Sequence, residues 1–328
     1  MLRAIRRLLL VLLVLGALAG VGAWQAQRVY RAPGPLAVPA QVLVPRGGTE
    51  AIAAALLKAG VIEDGRAFAA AALATRGQGA LRAAEFAFPA GASLEQVLAI
   101  LREGRPVQRR LTIPEGLTAR QVASLLRGTE GLTGEVPVPE EGSILPETYA
   151  WEWGFDRAAL LRRAQAAMAR TLAEIWAERA EGLPLATPRE ALVLASIVER
   201  ETALPEERPR IAAVFLNRLR RGMPLQSDPT VAYAAAEGGA LERPLTRADL
   251  DRDHPFNTYR IRGLPPAPIA APGVAALRAV TRPAQTDDLY FVANGEGGHA
   301  FARTLEEHNR NVARWREIER RRADSAQR

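Results

Sequence analysis

Cysteine is absent from all 328 residues, which rules out a disulfide framework, a thiolate metal site, a cysteine nucleophile and a lipid-modified cysteine behind the first apolar segment. Such a composition fits an oxidising compartment without requiring one. Histidine occurs three times, at His254, His299 and His308, without His-Glu-x-x-His spacing. They read as structural residues and define no metal site. No Gly-x-Ser-x-Gly elbow is present either. Aromatic residues make up 5%, and none interleave with basic residues as in a single-strand-binding sheet. The net charge of +7 comes mostly from arginines scattered along the chain. They read as solvated faces, so nucleic acid is not an expected partner.

What is present begins with a basic flank, Arg3, Arg6 and Arg7, followed by an apolar run from Leu8 to Trp24. About 17 residues at 1.5 Å each just cross a bilayer core. Arginines on the amino side hold that end in the cytoplasm and send the rest outward. The expectation is therefore a basic cytoplasmic tail over 1–7, a transmembrane anchor over 8–24 and a linker over 25–39. Ala17-Leu18-Ala19 resembles a cleavage site, so a removed signal peptide is the competing reading. The run continuing past Ala19 to Trp24 favours the anchor.

The remaining length and a hydrophobic content of 48% suit two globular units. Over 40–150 a pattern occurs three times, at Pro45-Arg46-Gly47, Pro89-Ala90-Gly91 and Pro114-Glu115-Gly116. Each follows a β-prone stretch (Gln41–Val44, Glu85–Phe88, Leu111–Ile113) and precedes an amphipathic helix. Gln96 and Gln121 stand three residues after Ser93 and Thr118, the capping-box spacing, and Gly60, Gly104 and Gly128 mark expected helix ends. These small α+β units carry no acid–base cluster; they either bind or simply pack. From 151 to 322 the chain reads as mainly helical. Expected helices run over Asp156–Glu181, from a Thr187-Pro188-Arg189-Glu190 start to about Thr202, from Arg208 to Gly222, and onward from Thr304. Met223 to Pro272 is long and irregular, which in a compact domain points to function.

At 100° per residue, Leu194, Ile197, Val198 and Glu201 share one helical face, while Glu199 points roughly 160° away from Glu201. A carboxyl set among apolar neighbours has its charged form disfavoured, as a general acid near neutral pH requires. The plain alternative is that Glu201 is the exposed last turn of an ordinary helix. Asp228 with Pro229 reads as a helix cap, which leaves Gln226 and Ser227 free to line a cleft.

Leu194-Ala195-Ser196-Ile197-Val198-Glu199-Arg200-Glu201-Thr202, Val214-Phe215-Leu216-Asn217-Arg218-Leu219, Leu225-Gln226-Ser227-Asp228-Pro229-Thr230-Val231, Asn257-Thr258-Tyr259 with Gly263-Leu264-Pro265-Pro266, and Tyr290-Phe291-Val292-Ala293 with Gly297-Gly298-His299 closely resemble, in order and spacing, the endolytic murein transglycosylases of the MltG (YceG-like) family. Pro114-Glu115-Gly116 and Leu145-Pro146-Glu147-Thr148-Tyr149 extend the resemblance to about residues 40–315. Ala267 and Ala271 depart from it, standing where the family usually has glycine and often asparagine.

The resemblance implies an α+β protein with a transmembrane helix, LysM-like modules and a mainly helical lysozyme-like catalytic domain. It implies a single-pass protein of the inner membrane, its catalytic domain periplasmic. Peptidoglycan glycan strands would be its partner, with peptidoglycan synthases as candidate protein partners, and no cofactor is implied. The family's catalytic glutamate maps onto Glu201. Gln226, Ser227, Asp228, Asn257, Tyr259, Tyr149 and Glu199 are the candidates for holding the sugar or supporting the acid. The implied chemistry is attack by the muramic acid C6 hydroxyl, leaving a 1,6-anhydro end. Two rivals stand beside it: a lysozyme using a second acid such as Asp228 or Glu147, and a non-catalytic wall-binding scaffold built on the Pro-x-Gly units.

Overall fold

The computed structural model describes residues 2–326, with side chains described from position 5 onward apart from 323, 325 and 326. It is a mixture of helix and sheet, and it divides into two compact units. One reaches to Arg109 and takes in Ala150–Gly154; the other holds Arg110–Tyr149 and the chain from Phe155 on. The sequence placed this division at 150, whereas the chain already enters the second unit after Arg109. The third Pro-x-Gly unit thus belongs with the helical part.

The first unit opens with helix α1 (Leu2–Arg31), long and apolar enough to cross a membrane by length and composition. Met1 of the expected 1–7 tail lies outside the described residues. The expected linker over 25–39 is shorter than read: Gln25–Arg31 are helical, because nothing there breaks a helix before Pro33. Strand β1 (Ala40–Leu43) leads to helices α2 (Thr49–Lys58) and α3 (Gly65–Ala74), the latter capped by the Asp64 carboxylate, which accepts the Arg66 N–H at 2.7 Å. Strand β2 (Glu85–Phe88) pairs antiparallel with β1, Ala40 opposite Phe88, and helix α4 (Leu94–Glu103) follows. Leu56, Phe68, Phe86, Phe88, Leu98 and Leu101 fill this unit's core. The capping box at Ser93 and Gln96 is formed in both directions.

Strand β3 (Arg109–Thr112) pairs with strand β4 (Thr148–Trp151), and helix α5 (Ala119–Gly128) lies between them in sequence. Thr118 and Gln121 close the second expected capping box. Gly91 and Gly116 take φ of +64° and +76°, so the Pro-x-Gly turns there need glycine. Helix α6 (Arg157–Ala177) starts at the Asp156 cap but ends before Glu181, since the Ala180 N–H leaves the helix to reach the Thr281 carbonyl.

Helices α7 (Pro188–Glu201), α8 (Arg208–Arg220), α9 (Asp228–Ala235), α10 (Arg247–Asp251) and α11 (Val274–Thr281) follow. Strands β5 (Tyr290–Ala293) and β6 (His299–Ala302) form an antiparallel hairpin, and helix α12 (Leu305–Ala326) closes the described chain. Helix α7 is the axis of this unit. Its residues from Ala191 to Val198 are all buried, and α6, α8 and α11 pack around it. A helix apolar on every side can sit only in a core.

Candidate active site

Helix α7 carries the acid at its very end. Thr187 Oγ1 accepts the Glu190 N–H at 3.2 Å and Pro188 sits at the first helical position, so the start is fixed by capping. Leu194, Ile197 and Val198 anchor the face that Glu201 continues, and all three are completely buried. Ser196 Oγ accepts the Ile269 N–H at 3.0 Å, tying the proline-rich loop to the helix.

Glu201 is the last helical residue and is only partly exposed. Burial raises its pKa from 4.5 to about 7; the Asp228 charge pushes the same way, while the Ser227 hydrogen bond and the Arg218 charge pull it down. The Ser227 hydroxyl donates to Glu201 Oε1 at 2.5 Å. Ser227 is itself held from behind: its N–H donates to Thr258 Oγ1 at 2.9 Å, and its carbonyl accepts from Thr230 Oγ1 at 2.7 Å. Thr230 and Thr258 join through their hydroxyls at 2.8 Å. Four buried hydroxyl and backbone groups therefore aim one oxygen at the acid.

The neighbours of Ser227 differ from the helix-cap reading. Ser227, not Asp228, occupies the N-cap of α9, and Asp228 is already helical. Its carboxylate accepts the Tyr259 hydroxyl at 2.6 Å, which with burial pushes the phenol pKa up. Gln226 is exposed and takes φ of +51°, a left-handed conformation for a side-chain-bearing residue that costs about 1–3 kcal/mol. The strain sits next to the hydroxyl that meets the acid.

Arg218 is a residue that reasoning from face and pattern passed over, although it stands within a quoted motif. Its guanidinium is buried, donates to the carbonyls of Leu289 and Leu225 at 2.7 Å each, and lies over the Tyr290 ring. It brings a fixed positive charge within reach of Glu201. The available signal was an arginine on the otherwise apolar face of α8, among Ile211, Val214 and Phe215.

Three candidates take other places. Asn257 is buried and turned inward: its amide donates to the carbonyls of Leu250 and Arg252 at 2.9 and 2.8 Å, and its oxygen accepts the Tyr259 N–H at 3.0 Å. Both amide hydrogens are thus spent on holding the loop, and the side chain is turned into the protein rather than toward the acid. Tyr149 is buried with its hydroxyl on the Leu145 carbonyl at 2.7 Å; burial and the Glu147 charge raise its pKa to about 12. The structure does not bring it to the acid. Glu199 faces elsewhere, as its angle requires. Its carboxylate, 4% exposed, pairs with Arg208 at 2.9 Å and accepts the Gly273 N–H at 2.9 Å. Burial raises its pKa, and the Glu115 carboxylate beside it adds to the rise. Gly273 leaves room for Glu115, since a Cβ there would meet Glu115 Oε1.

An open pocket of about 360 Å³ lies at this helix end, lined by Glu201, Thr202, Ala203, Glu199, Arg208 and Gly116 among others. His299 and Glu207, 92 positions apart, pair at 2.6 Å, and Glu207 also accepts the Thr202 hydroxyl at 3.4 Å. His254 accepts the Phe256 N–H at 3.2 Å, a local structural role.

In class this is a mainly helical domain with a carboxyl of raised pKa at the end of its central helix, joined to a small α+β unit. Residues 42–314 match the YceG-like family, and the chain belongs to that family. A Bacillus subtilis protein named endolytic murein transglycosylase is 37% identical over 172 residues, covering 52% of this chain and 47% of the relative. A Streptococcus pneumoniae protein of the same name is 31% identical over 321 residues, covering 82% of this chain and 57% of the relative. The chain thus spans about half the length of these relatives. The crystal structure of a yceG-like protein from Listeria monocytogenes has the same fold, with TM-score 0.51 and 28% identity over 83% of this chain and 98% of that one.

Proposed function

We propose that this chain is an endolytic murein transglycosylase that cleaves the MurNAc–GlcNAc bond of peptidoglycan strands and leaves 1,6-anhydroMurNAc ends. The observation that carries the reading is Glu201, a carboxyl whose pKa is raised to about 7 by burial at the floor of an open site. The names of the relatives support the substrate class. Protonated Glu201 donates its proton to the glycosidic oxygen as the C1–O bond breaks. The resulting carboxylate then accepts the proton of the C6 hydroxyl as O6 bonds to C1, which closes the anhydro ring and regenerates the acid. One group thus serves both steps, and an intramolecular nucleophile carries a high effective molarity. Ser227 orients the carboxyl, and Arg218 offsets negative charge when it ionises. Gln226 and Tyr259 line the approach. In this reading 40–150 is a LysM-like region, 151–322 a lysozyme-like catalytic region, and α1 anchors the protein to the inner membrane with the remainder periplasmic.

Asp228 favours a second reading, since its charge reaches Glu201 and a hydrolase would use such a second acid. Incubating the protein with purified glycan strands and weighing the products by mass spectrometry separates the two. Anhydro ends, lost in Glu201→Gln, are expected. Reducing ends would replace the transglycosylase by a lysozyme, and no cleavage by the folded wild type would leave a wall-binding protein. Amino-terminal sequencing of the mature protein tests the anchor: a new terminus near Gly20 would mean that a signal peptide is removed.

A further inference from the structure

Helix α1 does not stop where its apolar run stops. The run ends at Trp24, but the helix continues to Arg31, packs on α4 and pairs Arg31 with Glu95 at 3.5 Å. No flexible joint separates the proposed anchor from the first unit. Residues 25–31 rise about 10 Å as a helix. The headgroup layer of one leaflet is about 5–8 Å deep. Arg31 therefore lies at the outer edge of the headgroups, and the α1 segment below it crosses them, where Trp24 and Tyr30, tryptophan and tyrosine at a membrane boundary, are the expected residues.

At that level the unit carries a groove of about 680 Å³. One wall is α1, with Gly22, Ala26 and Val29; the other is α3, with Ala70 and Ala74; Leu94 adds a further apolar contact. Gly22 belongs to the apolar run itself, so the groove opens toward the hydrocarbon. Glycine and alanine make it wide by leaving the space between the two backbones unfilled. Val29 is 48% exposed on α1, and Leu73 is 65% exposed next to the groove-lining face of α3. In water this apolar surface would be costly. Arg31 lines the groove, and Arg28, Arg66 and Arg76 are exposed at its two helices' ends.

We propose that this groove binds phospholipid from the bilayer that α1 crosses, with α3 lying in the headgroup layer as an interfacial helix. Acyl and glycerol carbons fill the alanine-lined space, and the arginines face the phosphates, where basic side chains are attracted to an anionic surface. The inference rests on α1 being a retained anchor. Its consequence is that the first unit is held at a fixed depth, with its α3 face in the headgroups.

The absence of cysteine makes the test direct. Single Ala70→Cys, Leu73→Cys and Leu13→Cys variants of the full chain are spin-labelled and reconstituted into liposomes containing anionic phospholipid. Collision of each nitroxide with oxygen and with a water-soluble nickel chelate is then measured against free label. A high oxygen-to-nickel ratio at Leu13 and a ratio several-fold above free label at 70 and 73 are expected. Free-label behaviour at 70 and 73, with Leu13 deep, overturns the lipid groove while leaving the anchor. Low collision with both reagents at 70 and 73 means that protein, such as a second copy, covers the groove, and also overturns it. A water-like Leu13 removes the anchor itself, and the groove proposal with it.

Discussion

Ser227 and Glu201, 26 positions apart, meet through a hydroxyl-to-carboxylate hydrogen bond of 2.5 Å. This bond stabilises the ionised acid, so it opposes the burial that keeps the proton on. Ser227→Ala should therefore raise the Glu201 pKa further. The expected outcome is an alkaline limb of the pH–activity profile displaced upward, together with a lower maximal rate because the carboxyl loses its orienting partner. A pH profile with an unmoved limb would mean that the hydroxyl does not act on the acid.

Glu201 has a pH signature of its own. Its folded pKa of about 7 lies above the ordinary 4.5, so between these values the folded chain keeps a proton that the unfolded chain has lost. Stability from this group is full below about pH 4.5 and is lost as pH rises through about 7. At 1.36 kcal/mol per pH unit the difference is on the order of 3 kcal/mol. Glu201→Gln stays neutral throughout, so its unfolding free energy relative to wild type should rise between pH 5 and pH 8. Denaturant titrations at the two pH values check this. Activity of the wild type should fall over the same rise in pH, as the acid form disappears.

The neighbouring acid should behave in the opposite way. Glu199→Gln weakens the pairing with a buried arginine, since Arg208 is 9% exposed and keeps only Glu115 at 3.3 Å as a charged partner. A loss of about 1–3 kcal/mol is expected. Thermal melting should therefore show a larger drop for Glu199→Gln than for Glu201→Gln, while strand cleavage should be abolished only in the latter. Equal melting temperatures with cleavage lost at Glu199 would reverse the two roles.

Residues 110–149 are part of the helical unit rather than an appendage to it. Arg157 donates to the carbonyls of Leu126 and Arg127 at the end of α5, Glu141 accepts the Tyr233 hydroxyl at 3.1 Å, and Gly116 and Leu117 exchange backbone bonds with Ala271. A fragment of residues 156–322 is expected to lack cooperative unfolding, whereas one beginning at Arg110 retains it. Calorimetry of both fragments checks this, and a cooperative, active 156–322 fragment would falsify it.

Local signals announced local features. Thr187-Pro188-Arg189-Glu190 set the start of α7, Ser93 with Gln96 and Thr118 with Gln121 formed their boxes, and helical angle alone separated Glu201 from Glu199. The parts that escaped depend on distant partners. Asn257 looked like a polar residue available for sugar, and only the folded loop spends its amide on the carbonyls of Leu250 and Arg252. Asp228 looked like a helix cap until Tyr259 arrived as a competing donor. Arg218 carries no periodic anomaly beyond its charge, and its role depends on β5 bringing the Leu289 carbonyl to it. Strand β6 follows a glycine-rich turn and is too short and mixed in character to stand out before its hairpin partner is known.

Helix α7 has no solvent-facing stretch between Ala191 and Val198, so the position of its last residue is set by the packing of the entire helical core. The core thereby acts as a ruler for the acid. A change of one methylene at Leu194 or Ile197 is felt by the helix, since such interiors are close-packed. For the proposed activity, core substitutions that leave the protein folded should therefore lower strand cleavage before they lower the melting temperature.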